Sequence, residues 1–184
     1  MASASPARRV AHKVLIRVFE EDAYADRAFA SEAKGLDARE RAFAQRIAYG
    51  AIQMVRTLDH AIERLGGRPV NAMDAPVRAA IRLGAYELAF LGGVPARASV
   101  NEAVELVKAS PARRAAGFAN AVLRRVSEEL ASAREREEQL VAALDDLEEQ
   151  LHAPRPLDEQ QLLDALGEET ARLLSGLLDR ALLP

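Results

Sequence analysis

No stretch of this 184-residue sequence alternates apolar β-branched and polar residues with the period of two that marks a half-buried β-strand. Alanine, leucine, arginine and glutamate are abundant instead, and all four favour helices. Glycine pairs and a Ser-Pro step interrupt the amphipathic runs at intervals. The sequence therefore predicts an all-α fold.

The residue types that carry most enzyme chemistry are scarce. The chain contains no cysteine, which excludes disulfides, thiolate metal sites and cysteine nucleophiles. Its histidines, His12, His60 and His152, are far apart and lack metal-ligand spacing. Neither a glycine-rich phosphate loop nor a serine nucleophile elbow is present. We therefore predict no catalytic residue, no metal and no cofactor.

The N-terminal stretch MASASPARRVAHK lacks the continuous apolar core of a secretory signal. Arginine, glutamate and aspartate break every longer apolar run, so no segment is expected to span a membrane. These features predict a cytoplasmic protein without a membrane partner.

Capping signals predict where the helices of the first part begin and end. Pro6 fits the first turn of a helix that starts after Ser5. Asp37, with Glu40 three residues later, resembles a capping box and predicts one long helix over residues 38–65, which Gly66-Gly67 ends. Further helices are predicted to start at Asp74-Ala75-Pro76, at Ser99 with Glu102 in the reciprocal capping position, and at Ser110-Pro111.

The last third of the chain differs from the rest in charge and pattern. Residues 1–130 carry a net charge of +5, whereas residues 131–184 carry −8. Leucines at 140, 144, 147 and 151 follow the spacing of a coiled-coil seam, and APRP (153–156) then breaks the helix before a last amphipathic helix capped by Asp158. We predict a body over residues 6–130 and a C-terminal helical, coiled-coil-like appendage over 131–184, through which the chain could form a homodimer.

Basic residues cluster at the beginnings of two predicted helices. Arg8, Arg9 and Lys13 lie near the start of the first, and Arg113 and Arg114 near the start of the helix opened by Pro111. Helix starts favour anions, so the two clusters would form a phosphate-binding patch if the fold brought them together. The alternative is that both are ordinary solvated helix faces.

Several sequence blocks are similar to one known family. The stretches RLGAYELAFLGGVPARASVNEAVELVK (82–108), GFANAVLRRV (117–126) and ARRVAHKVL (7–15) resemble the NusB family in order and spacing. AYADRAF (23–29) and AYGAIQMVRTLDHAI (48–62) are more similar still to the NusB-type N-terminal domain of the RsmB ribosomal RNA cytosine methyltransferases. The resemblance covers about residues 6–130, and residues 131–184 match neither.

This resemblance implies a NusB-like bundle of two packed helical subdomains that binds RNA. It also implies, as a protein partner, the ribosomal protein that acts as NusE. The family's boxA RNA contacts match two groups of positions here: Arg8, Arg9 and Lys13, and Arg113, Arg114 and Phe118. Phe118 could stack on a base, although a phenylalanine among alanines is as readily a core residue.

Other polar residues in the matching blocks are interpreted structurally. We assign Asn101 and Asn120 to cap or helix–helix hydrogen bonds. Arg124 and Arg125 are expected to cover apolar surface with their aliphatic stems.

Three functions remain open from the sequence. The first is a non-catalytic RNA-binding protein of NusB type in transcription antitermination. The second is the substrate-recognition domain of an rRNA cytosine methyltransferase that lacks its catalytic domain. That reaction needs an S-adenosylmethionine-binding sheet and a cysteine, and this sequence has neither. The third is a helical dimerisation module that uses the leucine seam from Leu140.

Overall fold

A computed structural model describes residues 4–152, 164, 167–170 and 172 of the chain. All regular secondary structure in these residues is helical, which confirms the predicted all-α class. The chain forms two units, Met1–Glu137 and Glu138–Pro184, and the domain boundary expected at residue 130 stays a prediction. The α-helices are α1 (Pro6–Glu20), α2 (Ala25–Glu32), α3 (Ala38–Gln53), α4 (Val55–Gly66), α5 (Ala75–Phe90), α6 (Ala96–Lys108) and α7 (Ala116–His152), with short 3-10 helices at Val70–Ala72 and Arg113–Ala115.

Helix α5 is the centre of the first unit. It packs against α1, α3, α4 and α6, and most of its residues are buried. At Gly84 this helix lies close to two others, since a Cβ there would lie 2.9 Å from the methyl groups of Leu123 and 3.0 Å from the Cβ of Ala103. Helices α5, α6 and α7 therefore meet at a position that only glycine fills without displacing a neighbour.

The start of α1 is held by carboxylates from two other helices. The backbone N–H of Ala7 donates to Glu40 of α3 at 2.8 Å, and that of Ser5 donates to Glu102 of α6 at 2.7 Å. Pro6 occupies the first turn, as predicted. These bonds satisfy amides that have no partner within the helix, and they fix α1 against its neighbours.

The cap at Asp37 is confirmed, because the Glu40 N–H donates to its carboxylate at 2.8 Å. The single helix predicted over residues 38–65 is wrong, since α3 ends at Gln53 and α4 begins at Val55. Met54 between them has a ψ of 10°, which turns the chain out of the helical path. The turn lets α4 bury Leu58 and Ile62, so tertiary packing overrides a sequence that favours continuous helix. Gly67, in the left-handed conformation, ends α4 as expected.

The predicted helix start at Ser99 is also wrong. Helix α6 begins three residues earlier, at Ala96 after Pro95. Ser99 is buried inside the helix, and its hydroxyl donates to Glu87 at 3.3 Å. Glu102, expected to complete the cap, accepts the Ser5 bond instead.

Ser110-Pro111 does not open an α-helix directly. Ser110 accepts a bond from the N–H of Ala112 at 3.2 Å, a 3-10 helix follows at Arg113–Ala115, and α7 starts at Ala116. Arg113 and Arg114 therefore lie on the 3-10 helix that precedes α7. The predicted continuation of α7 beyond residue 130 is confirmed, since the helix reaches His152.

The leucine seam can be followed only in part. Leu140, Leu144 and Leu147 are at least 60% exposed, whereas the side chain of Leu151 lies outside the described residues. The break predicted at 153–156 and nearly all of the last predicted helix also lie outside them. In the described ranges no helix has the length and apolar character needed to cross a membrane.

Candidate functional site

A groove of about 440 Å³ lies between the start of α7 and the start of α5. Arg114 and Phe118 both line it, so the structure brings together two of the residues singled out in the sequence. The remaining lining residues are Arg68, Met73, Asp74, Val77, Pro111, Ala112 and Ala115. The groove combines apolar side chains with two arginines and one aspartate, and it offers space for a flat, partly charged group.

Phe118 is half-buried, and its ring serves both alternatives left open by the sequence. It packs against the core, near Gly66 at the end of α4, and it also lines the groove. The guanidinium of Arg68 lies 4.9 Å from the ring centroid and is held there by a 2.7 Å bond from Nη2 to the Ala72 carbonyl. Aromatic rings and guanidinium planes of this kind bind unstacked nucleic-acid bases by stacking.

The sequence alone does not single out Arg68. It directly follows Gly67, which ends α4, and nothing local distinguishes Arg68 from an ordinary loop arginine. Its position above a ring 50 residues later depends on how α4 and α7 pack.

Arg113 and Arg114 carry positive charge that the described part of the protein leaves uncompensated. Both are exposed, and neither forms an ion pair or a side-chain hydrogen bond within the described residues. A guanidinium without an internal partner can bind a phosphate without first breaking a bond.

Arg9 and Lys13 line a smaller groove of about 160 Å³ at the start of α1, together with Pro6, Val10 and Leu36. Lys13 is 66% exposed and lies 3.7 Å from Glu32, a loose ion pair. Arg9 donates to the carbonyl of Ala4. Members of the two predicted basic clusters therefore line separate grooves, Arg9 and Lys13 in one and Arg114 in the other.

Arg8, predicted to contact RNA, forms an internal ion pair in the structure. Its Nε and Nη2 donate to the Glu87 carboxylate at 2.8 and 2.6 Å, and the exposed fractions of the two side chains are 12% and 2%. Burial acts to lower the pKa of Arg8, but the bond and charge of Glu87, together with the charges of Glu102 and Glu40, outweigh it and leave the pKa raised. The guanidinium also lies 5.0 Å from the Phe43 ring centroid. Arg8 is committed to this internal pair, because leaving Glu87 would strand a buried carboxylate.

His12 connects the elements that form the two grooves. Its Nε2 lies 2.7 Å from the carbonyl oxygen of Pro76, in the first turn of α5. Asp74 and Val77 of that same turn line the groove of Phe118, while Lys13 beside His12 lines the smaller groove. Burial lowers the pKa of His12 below its ordinary value of 6.5, so the imidazole donates to the carbonyl as a neutral group.

With this geometry in hand, comparison with known proteins decides the family, since the sequence profile of the NusB family matches residues 5–128. The chain belongs to the NusB family. A probable ribosomal RNA small subunit methyltransferase B from Synechocystis sp. is 36% identical over 121 residues, which cover 65% of this chain and 27% of that protein. The transcription antitermination protein NusB of Bacillus licheniformis is 35% identical over 97 residues, 52% of this chain and 75% of that protein.

This NusB-family chain thus spans about a quarter of the length of its methyltransferase relative. A solved complex of the antitermination factors NusB and NusE with dsRNA shares the fold, with a TM-score of 0.63 at 24% identity over 67% of this chain and 95% of the matched one. The predicted NusB-like bundle is confirmed.

Proposed function

We propose that this chain is a non-catalytic RNA-binding protein that acts in transcription antitermination by binding rRNA or its leader transcript. The observation that carries the proposal is the groove in which Arg114, Phe118 and Arg68 meet. Membership of the NusB family supports it. Because a solved NusB of the same fold is bound to NusE and dsRNA, we propose a NusE-type ribosomal protein as the protein partner.

In this proposal each group of residues has a separate task. Arg113 and Arg114 bind phosphates, and Phe118, with the Arg68 guanidinium over its ring, stacks on an unpaired base. Arg9 and Lys13 extend the cationic path along α1, and Arg8 holds α1 in place through Glu87. Phosphate contacts release counterions, so a plot of log K for RNA binding against log salt concentration has a slope of about −0.7 per phosphate contact for a single strand.

The experiment is fluorescence anisotropy with a labelled single-stranded boxA-like RNA, repeated over a range of salt concentrations. We expect Arg113→Ala/Arg114→Ala to weaken binding and to make the salt slope shallower by roughly 1.4, two contacts' worth. Arg46→Ala/Arg56→Ala is the matched control, because it removes two exposed arginines of α3 and α4 that likewise have no ion-pair partner among the described residues. Equal losses in the two double variants would show that net charge alone attracts RNA and would refute the site.

Stacking is tested separately with Phe118→Leu, which keeps an apolar side chain against the core. We expect a several-fold loss of affinity for single-stranded RNA, since stacking on an aromatic ring contributes about 1–3 kcal/mol per base, with an unchanged salt slope. Unchanged affinity in a folded variant would show that Phe118 is only a structural residue and does not bind RNA.

A second candidate is favoured by the identity with the methyltransferase relative. In that case the chain would be the substrate-recognition domain of an rRNA cytosine methyltransferase, and its ligand would be folded small-subunit rRNA. Competition between a boxA-like leader and a small-subunit rRNA hairpin at matched salt separates the candidates. Preference for the leader supports antitermination, and preference for the hairpin supports the methyltransferase domain.

A further inference from the structure

A second groove, of about 520 Å³, lies between the N-terminal half of α6 and α7. Its lining is mostly polar: Ala96, Arg97, Val100 and Asn101 from α6, and Asn120, Arg124, Ser127 and Glu128 from α7. None of these residues lines the groove of Phe118. Because an α-helix turns by about 100° per residue, Asn120 and Arg124 lie roughly 120–160° around α7 from Phe118. The α6–α7 groove is therefore on another side of the helix.

The polar side chains of this groove lack partners within the described part of the chain. Arg97 and Arg124 are exposed and form no ion pair or side-chain hydrogen bond there. Asn101 and Asn120 likewise make no side-chain hydrogen bond, so the cap and helix–helix bonds predicted for them are wrong. Two cations and two amides thus face one cleft with their bonding capacity unused.

The chemistry of this lining suits a phosphodiester strand. A guanidinium matches the geometry of a phosphate, and here one comes from each wall of the groove. The asparagine amides offer both donors and acceptors, which can bind base edges or 2′-hydroxyl groups. Val100 is the largest apolar residue in the lining, so the groove lacks the aromatic or aliphatic anchor that protein interfaces use.

We propose that the α6–α7 groove binds the backbone of an RNA segment that flanks the segment held beside Phe118, with Arg97 and Arg124 on phosphates. The proposal rests on the proposed function and extends it to a longer RNA. Glu128 lies one helical turn beyond Arg124 and repels phosphates. The bound strand therefore runs from the arginines toward Asn101 and Asn120, away from Glu128.

The test uses the full chain and two labelled RNAs, a short boxA-like oligonucleotide and a longer leader that extends it on both sides. For Arg97→Ala/Arg124→Ala we expect on the order of tenfold weaker binding of the longer RNA, a salt slope shallower by roughly 1.4, and unchanged binding of the short one. Arg113→Ala/Arg114→Ala should weaken both RNAs. The charge-matched control Arg46→Ala/Arg56→Ala should affect neither RNA to the same extent.

A second variant, Asn101→Ala/Asn120→Ala, separates the amides from the charges. Because neutral hydrogen bonds release no counterions, we expect weaker binding of the longer RNA at an unchanged salt slope. Circular dichroism spectra that match the unsubstituted chain show that the variants are folded.

Three results would overturn the inference. The first is binding of both RNAs by Arg97→Ala/Arg124→Ala no weaker than by the Arg46→Ala/Arg56→Ala control. The second is an equal loss for the short and long RNAs, which would place the arginines in the first site. The third is displacement of the labelled longer RNA by a polyglutamate peptide but not by unlabelled RNA, which would make the groove a site for an acidic protein. If the unsubstituted chain binds neither RNA, both the proposed function and this inference fail. If it binds both RNAs but Arg97→Ala/Arg124→Ala binds them as well as the control does, this inference fails and the proposed function stands.

Discussion

At the scale of single residues, the buried imidazole of His12 couples the start of α5 to pH. Its pKa is lowered by burial, so the unfolded chain binds a proton at this residue more readily than the folded protein does. Above its ordinary pKa of 6.5, His12 is neutral in both states and does not reduce the free energy of unfolding. As the pH drops through and below 6.5, that free energy falls. The loss comes from burying the charged ring, because the bond to the Pro76 carbonyl itself favours the protonated form.

This predicts a flatter pH dependence in His12→Gln, whose amide can still donate to the Pro76 carbonyl but does not titrate. We expect the free energy of unfolding, measured in urea, to fall less in the variant than in the unsubstituted chain between about pH 7.5 and about pH 5.5. Parallel losses in both proteins would mean that other groups dominate this pH range.

The buried pair between Arg8 and Glu87 gives a second prediction for single residues. Glu87→Gln removes the nearer of the two carboxylate charges that pair with Arg8, whose side chain is only 12% exposed; the other, of Glu102, lies 3.7 Å away. Breaking a buried pair on one side typically costs about 3–5 kcal/mol, and we expect a loss of that order in chemical denaturation. Glu105→Gln is the control, because Glu105 pairs with the 54% exposed Lys108 and its loss should cost about 1 kcal/mol or less. Similar losses in the two variants would contradict a structural role for Arg8.

At the scale of elements, local signals were sufficient where the chain itself carries the reason for a boundary. Pro6, Asp37 and Gly67 act within one turn of the helix ends that they predicted. The break at Met54 and the start of α6 were missed because distant packing decides them, as the burial of Ser99 against Glu87 shows.

The same contrast between local signals and distant packing holds for the candidate site. The cationic positions 113 and 114 were visible as local charge, and they are exposed in the structure. The sequence alone does not show that Arg8 pairs with Glu87, which is 79 residues away, or that Arg68 lies over the ring of Phe118 on α7. A single sequence shows which residues are charged, but it does not show which charges are already paired.

The meeting point of α5, α6 and α7 can be tested at Gly84. Gly84→Ala places a Cβ within 3.0 Å of both Leu123 and Ala103, and the backbone-attached Cβ of Ala103 has little freedom to move. We expect a net loss of about 1–3 kcal/mol, despite the better helix propensity of alanine, and a lower thermal midpoint. Gly92→Ala is the matched control, because no heavy atom lies within 4 Å of its added Cβ. A stabilised Gly84→Ala would show that the helices can separate at no cost.

At the scale of the whole molecule, the charge is divided along the chain. A net +5 over residues 1–130 attracts a polyanion, whereas the net −8 over residues 131–184 repels it. Because both parts belong to one chain, we expect the acidic part to lower the local concentration of RNA around the basic one. This effect depends on long-range electrostatics and requires no contact between the two.

Neutralising part of the acidic segment should therefore tighten RNA binding. The substitutions Asp145→Asn, Asp146→Asn, Glu148→Gln and Glu149→Gln remove four negative charges from exposed positions on α7 and leave the helix length unchanged. We expect a several-fold higher affinity in anisotropy titrations at low salt. The gain should vanish near 1 M salt, where the Debye length is about 3 Å. A gain that persists at high salt would indicate that the acidic side chains compete for the basic site by direct contact, and no gain at any salt concentration would show that the field of residues 131–184 does not reach the RNA.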